Sequence, residues 1–126
     1  MKLIIAGSRS ITHPFAVVNA IEHFIGSLDP TSITEIVHGG ARGVDTLGQR
    51  YAELYNLPVR VFKPDWKGNL MAAGFVRNGE MAEYADQLLA VWDGKSKGTR
   101  SMIELMQDLH KPCYVYYFTS SKLCSA

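Results

Sequence analysis

The chain has 126 residues, of which 47% are hydrophobic and 20% charged, the profile of one globular domain with a single core. A net charge of +1 gives no general attraction to nucleic acid or to an anionic membrane, and no apolar run approaches the ~20 residues needed to span a bilayer. The two cysteines, Cys113 and Cys124, have neither metal spacing nor a disulfide framework, and Cys113 reads as a small core residue.

The apolar run at residues 2–6 stops at Gly7, which suits a buried parallel strand and is too short for a signal peptide. A cytoplasmic location is therefore expected. After the loop GSRS, Thr12 and Pro14 mark a helix start, and apolar residues recur at helical spacing from Phe15 to Leu28. Residues 33–37 form a second strand, followed by HGGARGVDTLGQ and a helix face of Val44, Leu47, Tyr51 and Leu54 that closes near Asn56. A third strand covers 59–62 and leaves through Pro64, Asp65 and Trp66. Met71, Phe75, Asn78 and Met81 fit a helix, although Gly68, Gly74 and Gly79 weaken it. A fourth strand at 87–92, the loop DGKSKGT, a helical stripe from Met102 to Leu109 and a fifth strand at 112–118 complete the pattern. Residues 119–126 read as a polar tail after a domain at 1–118.

Strands that are apolar throughout, alternating with helices, predict a single Rossmann-like α/β domain. Its five-stranded, mostly parallel sheet would carry helices on both faces. In such a sheet the loops leaving the strands' carboxyl ends share one edge, where ligands bind. Here these are loops 7–10, 39–42, 64–68 and 93–99, and they hold most of the glycines.

The stretch at 38–49 is the most informative. Gly39, Gly40 and Gly43 let backbone approach a ligand closely, and the helix that follows offers unpaired N–H groups and a positive dipole end. With Arg42 this makes a phosphate seat; a tight turn that binds nothing is the alternative. The stretch is neither the dinucleotide fingerprint nor a Walker loop. Gly7, Ser8 and Arg9 follow the first strand, with Ser8 and Arg9 suited either to phosphate or to an exposed turn. Asp45 fits a ribose hydroxyl, and equally a dipole cap. Gly98 and Thr99, with Lys95 or Lys97, form a second glycine-lined helix start. Arg77 and Asn78 reach over the ligand or lie on a charged outer face. Trp66 suits base stacking or plain packing beside Asp65, and Asp93 suits ribose contact or base catalysis beside a core Trp92. Of four scattered histidines, His38 alone falls near the ligand, and no metal or other cofactor is expected.

Taken together, GSR, VHGGARGVD, FKPDW, AGFVRNGEM, ADQLLAVWDGKSKGT and KPCYVYY resemble the YspA/YpsA-related branch of the SLOG superfamily over about residues 3–117. That superfamily includes the DNA-processing protein Smf and the Lonely guy phosphoribohydrolases. The resemblance implies a nucleotide or nucleotide-derived ligand, with phosphate on Gly39, Gly40, Gly43, Gly98 and Thr99. Ser8 and Arg9 would lie beside it, and Arg77 and Asn78 over it. It also implies a homo-oligomer and a bacterial or phage source. The phosphoribohydrolases carry PGGxGTxxE at the last loop; this chain has DGKSKGTRSM, so Met102 stands where the catalytic glutamate would be. Glu104, two residues on, is roughly 200° around the helix.

The leading expectation is thus a nucleotide binder acting as sensor, sequestering protein or regulatory subunit. The alternative is an N-glycosidic hydrolase acting on a nucleoside monophosphate or related nucleotide, with Asp93, Asp45 or Glu80 as the carboxylate. Single-stranded nucleic acid is disfavoured by the near-zero charge.

Overall fold

The computed structural model of the protein describes residues 1–8, 11, 14–25, 33–40, 43–63 and 70–117. In chain order the elements are β1 (Lys2–Gly7), α1 (Pro14–Ile25), β2 (Glu35–His38), α2 (Val44–Leu54) and β3 (Val59–Val61). They continue with α3 (Leu70–Tyr84), β4 (Gln87–Trp92), α4 (Lys97–Asp108) and β5 (Cys113–Tyr117). The five strands form one sheet in the order β3-β2-β1-β4-β5, and every pairing is parallel. The sheet is therefore a fully parallel version of the mostly parallel one expected. β2 enters the ladder at Glu35, with Thr34 fastened to the Met1 carbonyl through both its N–H and its hydroxyl. The expected tail at 119–126 lies outside the described residues.

Successive strand residues point to opposite faces, and the two cores divide accordingly. Leu3 and Ile5 of β1, Ile36 of β2, and Leu89 and Val91 of β4 join Ala20 and Ile21 of α1 and Val44, Leu47 and Ala52 of α2. On the other face, Ile4, Val37, Leu88, Ala90 and Trp92 meet Met81, Ala82 and Ala85 of α3 and its end, and Met102, Ile103 and Met106 of α4. Both faces of β4 are buried, which is why QLLAVW reads as a continuous apolar run.

Two helices close in the same way. Asn56 (φ 55°) and His110 (φ 57°) take the left-handed conformation just beyond α2 and α4. In each case the next N–H reaches back five residues, Leu57 to Ala52 and Lys111 to Met106, the Schellman arrangement. Lys111 continues from there. Its ammonium donates to the carbonyls of Ala82, Glu83 and Ala85 at 2.7, 3.0 and 2.8 Å, so it caps the carboxyl end of α3. Cys113 is half-buried rather than a full core residue, and burial pushes its thiol pKa up. Among the described residues no helix is long and apolar enough to cross a membrane.

The chain runs β1 to β3 toward one side of the sheet, then crosses back through α3 to place β4 beside β1. The strand order thus reverses at β1, and the crevice outside the carboxyl ends there is where open parallel sheets bind ligands.

Candidate functional site

A cavity of about 280 Å³ occupies that crevice. This is at the small end of ligand pockets, which run from roughly 300 to 1,000 Å³. Ala6 and Gly7 of β1, Gly39 after β2 and Asp45 of α2 line it on one side. Arg77, Asn78 and Met81 of α3 face Ser96, Gly98, Thr99 and Met102 of α4 across it.

Close packing puts the strand ends there. A Cβ on Gly7 would overlap the Val91 carbonyl oxygen and lie 2.7 Å from Val44 Cγ2, so glycine lets β1, β4 and α2 converge. Gly40 (φ 72°) and Gly43 (φ 77°) take the left-handed backbone that turns the chain from β2 into α2. Gly39, just before Gly40, is gripped from both sides. Its N–H donates to Asp45 Oδ2 at 2.9 Å, and its carbonyl accepts from Arg77 Nη1 at 2.6 Å. Arg77 Nε also donates to Asn78 Oδ1 at 2.9 Å, and Asn78 Nδ2 donates to the Gly98 carbonyl at 3.3 Å. One chain of hydrogen bonds therefore runs from the start of α2 to the start of α4.

Both helix starts lack a side-chain cap. α2 begins after Gly43 and α4 after Ser96, with no side-chain capping bond at either N-cap; the Ser96 hydroxyl instead accepts from Thr99 Oγ1 at 3.3 Å. Asp45 of the first turn of α2 and Ser96, Gly98 and Thr99 at the start of α4 line one cavity with Arg77, so the positive dipole ends of both helices lie beside it. Asp45, 5% exposed, is the opposing charge, and its Gly39 bond ties it to the turn.

Seven of the expected ligand residues line the cavity: Gly7, Gly39, Asp45, Arg77, Asn78, Gly98 and Thr99. Gly40 and Gly43 shape the turn behind it. Ser8 does not line it; the side chain is buried and its hydroxyl accepts from Asp93 N–H at 3.0 Å, tying β1 to β4. Asp93 turns its carboxylate into its own loop, where Oδ1 accepts from Lys95 and Ser96 N–H at 2.8 and 2.9 Å. Burial raises its pKa, but these two bonds, with those from Ser8 and its own backbone, outweigh burial and hold the group below the ordinary aspartate value. Glu80 is exposed and outside the lining. His38 sits behind the site. Its Nδ1 accepts from Gly40 N–H at 3.0 Å, which leaves Nε2 to donate to Gln49 Oε1 at 2.6 Å. It braces the turn and is not among the residues lining the cavity. Arg9, Arg42, Asp65 and Trp66 lie outside the described residues.

Ala6, Met81 and Ser96 line the cavity without having stood out in the sequence. Met81 had a legible signal, since it follows Asn78 at i+3 on one helix face. Ser96 occupies the N-cap position ahead of Gly98 and Thr99. Among the described residues no group of three or more His, Cys, Asp or Glu is placed to hold a metal.

An all-parallel α/β sheet with a glycine-lined cavity at its carboxyl edge, walled by two uncapped helix starts, defines a Rossmann-like small-molecule-binding domain. The chain belongs to the YspA, cpYpsA-related SLOG family (YAcAr), whose model matches residues 1–68. That match covers β1 to β3, and the α3 and α4 walls come from the chain beyond it. The chain is also 41% identical over 71 residues to the Gene 61 protein of Mycobacterium phage D29. That alignment takes in 52% of this chain and 57% of the phage protein, so it spans little over half of the relative's length.

Proposed function

We propose that the protein binds a nucleotide or nucleotide-derived anion in this cavity and acts as a sensor, sequestering protein or regulatory subunit. Family membership supports a nucleotide-related ligand in general terms. The observation that carries the reading here is the convergence of two uncapped helix N-termini and Arg77 on one small crevice. Backbone N–H groups and dipole ends aimed together favour a phosphate.

Gly98 adds to this. A Cβ there would meet nothing within 4 Å, and its φ is not in the left-handed range, so the fold itself has no need of glycine at that position. Glycine inside a helix costs about 0.5–1 kcal/mol relative to alanine. Gly74 and Gly79 are equally open, but Gly98 lines the cavity, where a glycine leaves room for a ligand to approach the α4 backbone.

Binding is favoured over hydrolysis by the carboxylates. Of Asp45, Asp93 and Glu80, only Asp45 lines the cavity, and its Oδ2 holds Gly39 N–H. Met102 stands at the wall where the phosphoribohydrolase pattern has its glutamate, and a thioether takes no proton in place of a general base.

Mass spectrometry of the native protein, followed by denaturation and analysis of released small molecules, tests the proposal together with Gly98→Ala. The expected result is a bound intact nucleotide or a nucleotide that stabilises the protein thermally. Gly98→Ala should keep or raise stability while weakening that binding at least several-fold. Free base with sugar phosphate would select the hydrolase, and indifference to a full nucleotide panel would sink the reading.

A further inference from the structure

The cavity is polar at the top and apolar below. α3 and α4 both follow strands of a parallel sheet, so both start at the carboxyl edge and run down from it. Asn78 therefore lies nearer the opening than Met81, and Thr99 nearer than Met102, each by three residues, ~4.5 Å of helix rise. Ala6 of β1 completes the lower level. Two thioethers and a methyl group line the cavity there, and both methionines are buried to 1% exposure.

A phosphate held by the helix N-termini sits at the upper level, and that spacing is the reach from a phosphate to the sugar it esterifies. The sugar edge that faces downward would meet Ala6, Met81 and Met102. None of these side chains forms a useful hydrogen bond with a hydroxyl. A hydroxyl pressed against them gives up its water without replacement, whereas a methylene is at home there. The carboxylate on the opposite wall, Asp45, has Oδ2 on Gly39 N–H.

We propose that the methionine floor makes the site selective for 2′-deoxyribonucleotides over ribonucleotides, with Met102 and Met81 as the specificity-determining residues. The inference rests on reading the cavity as a nucleotide site. Its size follows from the cost of an unpaired hydroxyl, a preference of roughly 10- to 100-fold.

Isothermal titration calorimetry of the full chain against the common ribonucleoside 5′-monophosphates and their 2′-deoxy counterparts decides it. The deoxy member of the best-binding pair should bind tighter by roughly 10- to 100-fold. Met102→Leu, which keeps the floor apolar, should preserve the ratio. Met102→Gln, which supplies a hydrogen-bonding amide, should bring the ratio toward one. Should Met102→Gln fail to fold, the wild-type ratio decides alone. Equal binding of the two sugars, or tighter binding of the ribose form, overturns the selectivity and leaves the nucleotide site standing. No binding of either overturns both.

Discussion

Gly39→Ala offers a sharp probe of how the site is assembled, because the new methyl group would meet a side chain rather than backbone. Its Cβ would overlap Arg77 Nη1 and lie 2.7 Å from Cζ. Gly39 is not among the residues with positive φ, so the backbone accepts alanine without strain. The guanidinium must swing away, and it then loses its bonds to the Gly39 carbonyl and to Asn78 Oδ1. Hydrogen bonds to a charged group contribute about 1.5–3 kcal/mol each, and Arg77 is only half-buried, so the low end applies. The expected loss is about 2–4 kcal/mol. Urea denaturation should show it as a lower midpoint at unchanged slope. The decisive arm is the double-mutant cycle with Arg77→Ala. With the guanidinium gone, Gly39→Ala should cost under about 1 kcal/mol, giving a coupling of about 1–3 kcal/mol. If the two substitutions add to within about 0.5 kcal/mol, the glycine is required for some other reason and the reasoning fails.

Lys111→Met keeps the aliphatic stem and removes the ammonium from three carbonyls, so thermal denaturation should register a loss of about 1–3 kcal/mol. Lys111→Arg should recover only part of it, because a planar fork does not match three acceptors around one nitrogen; full recovery would show that charge alone matters. Asp93 has a lowered folded-state pKa, so its contribution is present above the ordinary aspartate range and disappears as pH falls through the folded value. The stability gap between wild type and Asp93→Asn should therefore narrow below about pH 4, and a gap that stays constant down to acid unfolding would refute this. Gly74→Ala and Gly79→Ala fill open space within α3 and should each stabilise by about 0.5–1 kcal/mol in chemical denaturation. A loss at either position would contradict the open surroundings described for both.

The order of strands and helices was legible in the chain because periodicity reports which residues are buried on which side. QLLAVW reads as a strand covered on both faces, and alternation of such strands with helices leaves few topologies other than a parallel sheet. That topology alone collects the segments around Gly7, Gly39, Ser96 and Gly98 on one edge, since every strand points the same way. Distances between elements were a different matter. Arg77 and Gly39 are 38 positions apart, and only the packing of α3 over the sheet brings guanidinium and carbonyl together. The sequence left Asp45 divided between ribose contact and dipole cap, and the fold adds a task that neither reading named, holding Gly39 N–H. Ser8 was open to phosphate contact or to a turn, and Asp93 to ribose contact or base catalysis; the approach of β1 to β4 places the Ser8 hydroxyl on Asp93 N–H and the Asp93 carboxylate on the N–H groups of Lys95 and Ser96. The pairing of Met81 with Met102 depends on α3 and α4 descending side by side, which no spacing within either helix encodes. Local pattern decides what each residue faces along its own element; which residue it meets across a cavity is decided by how neighbouring elements pack.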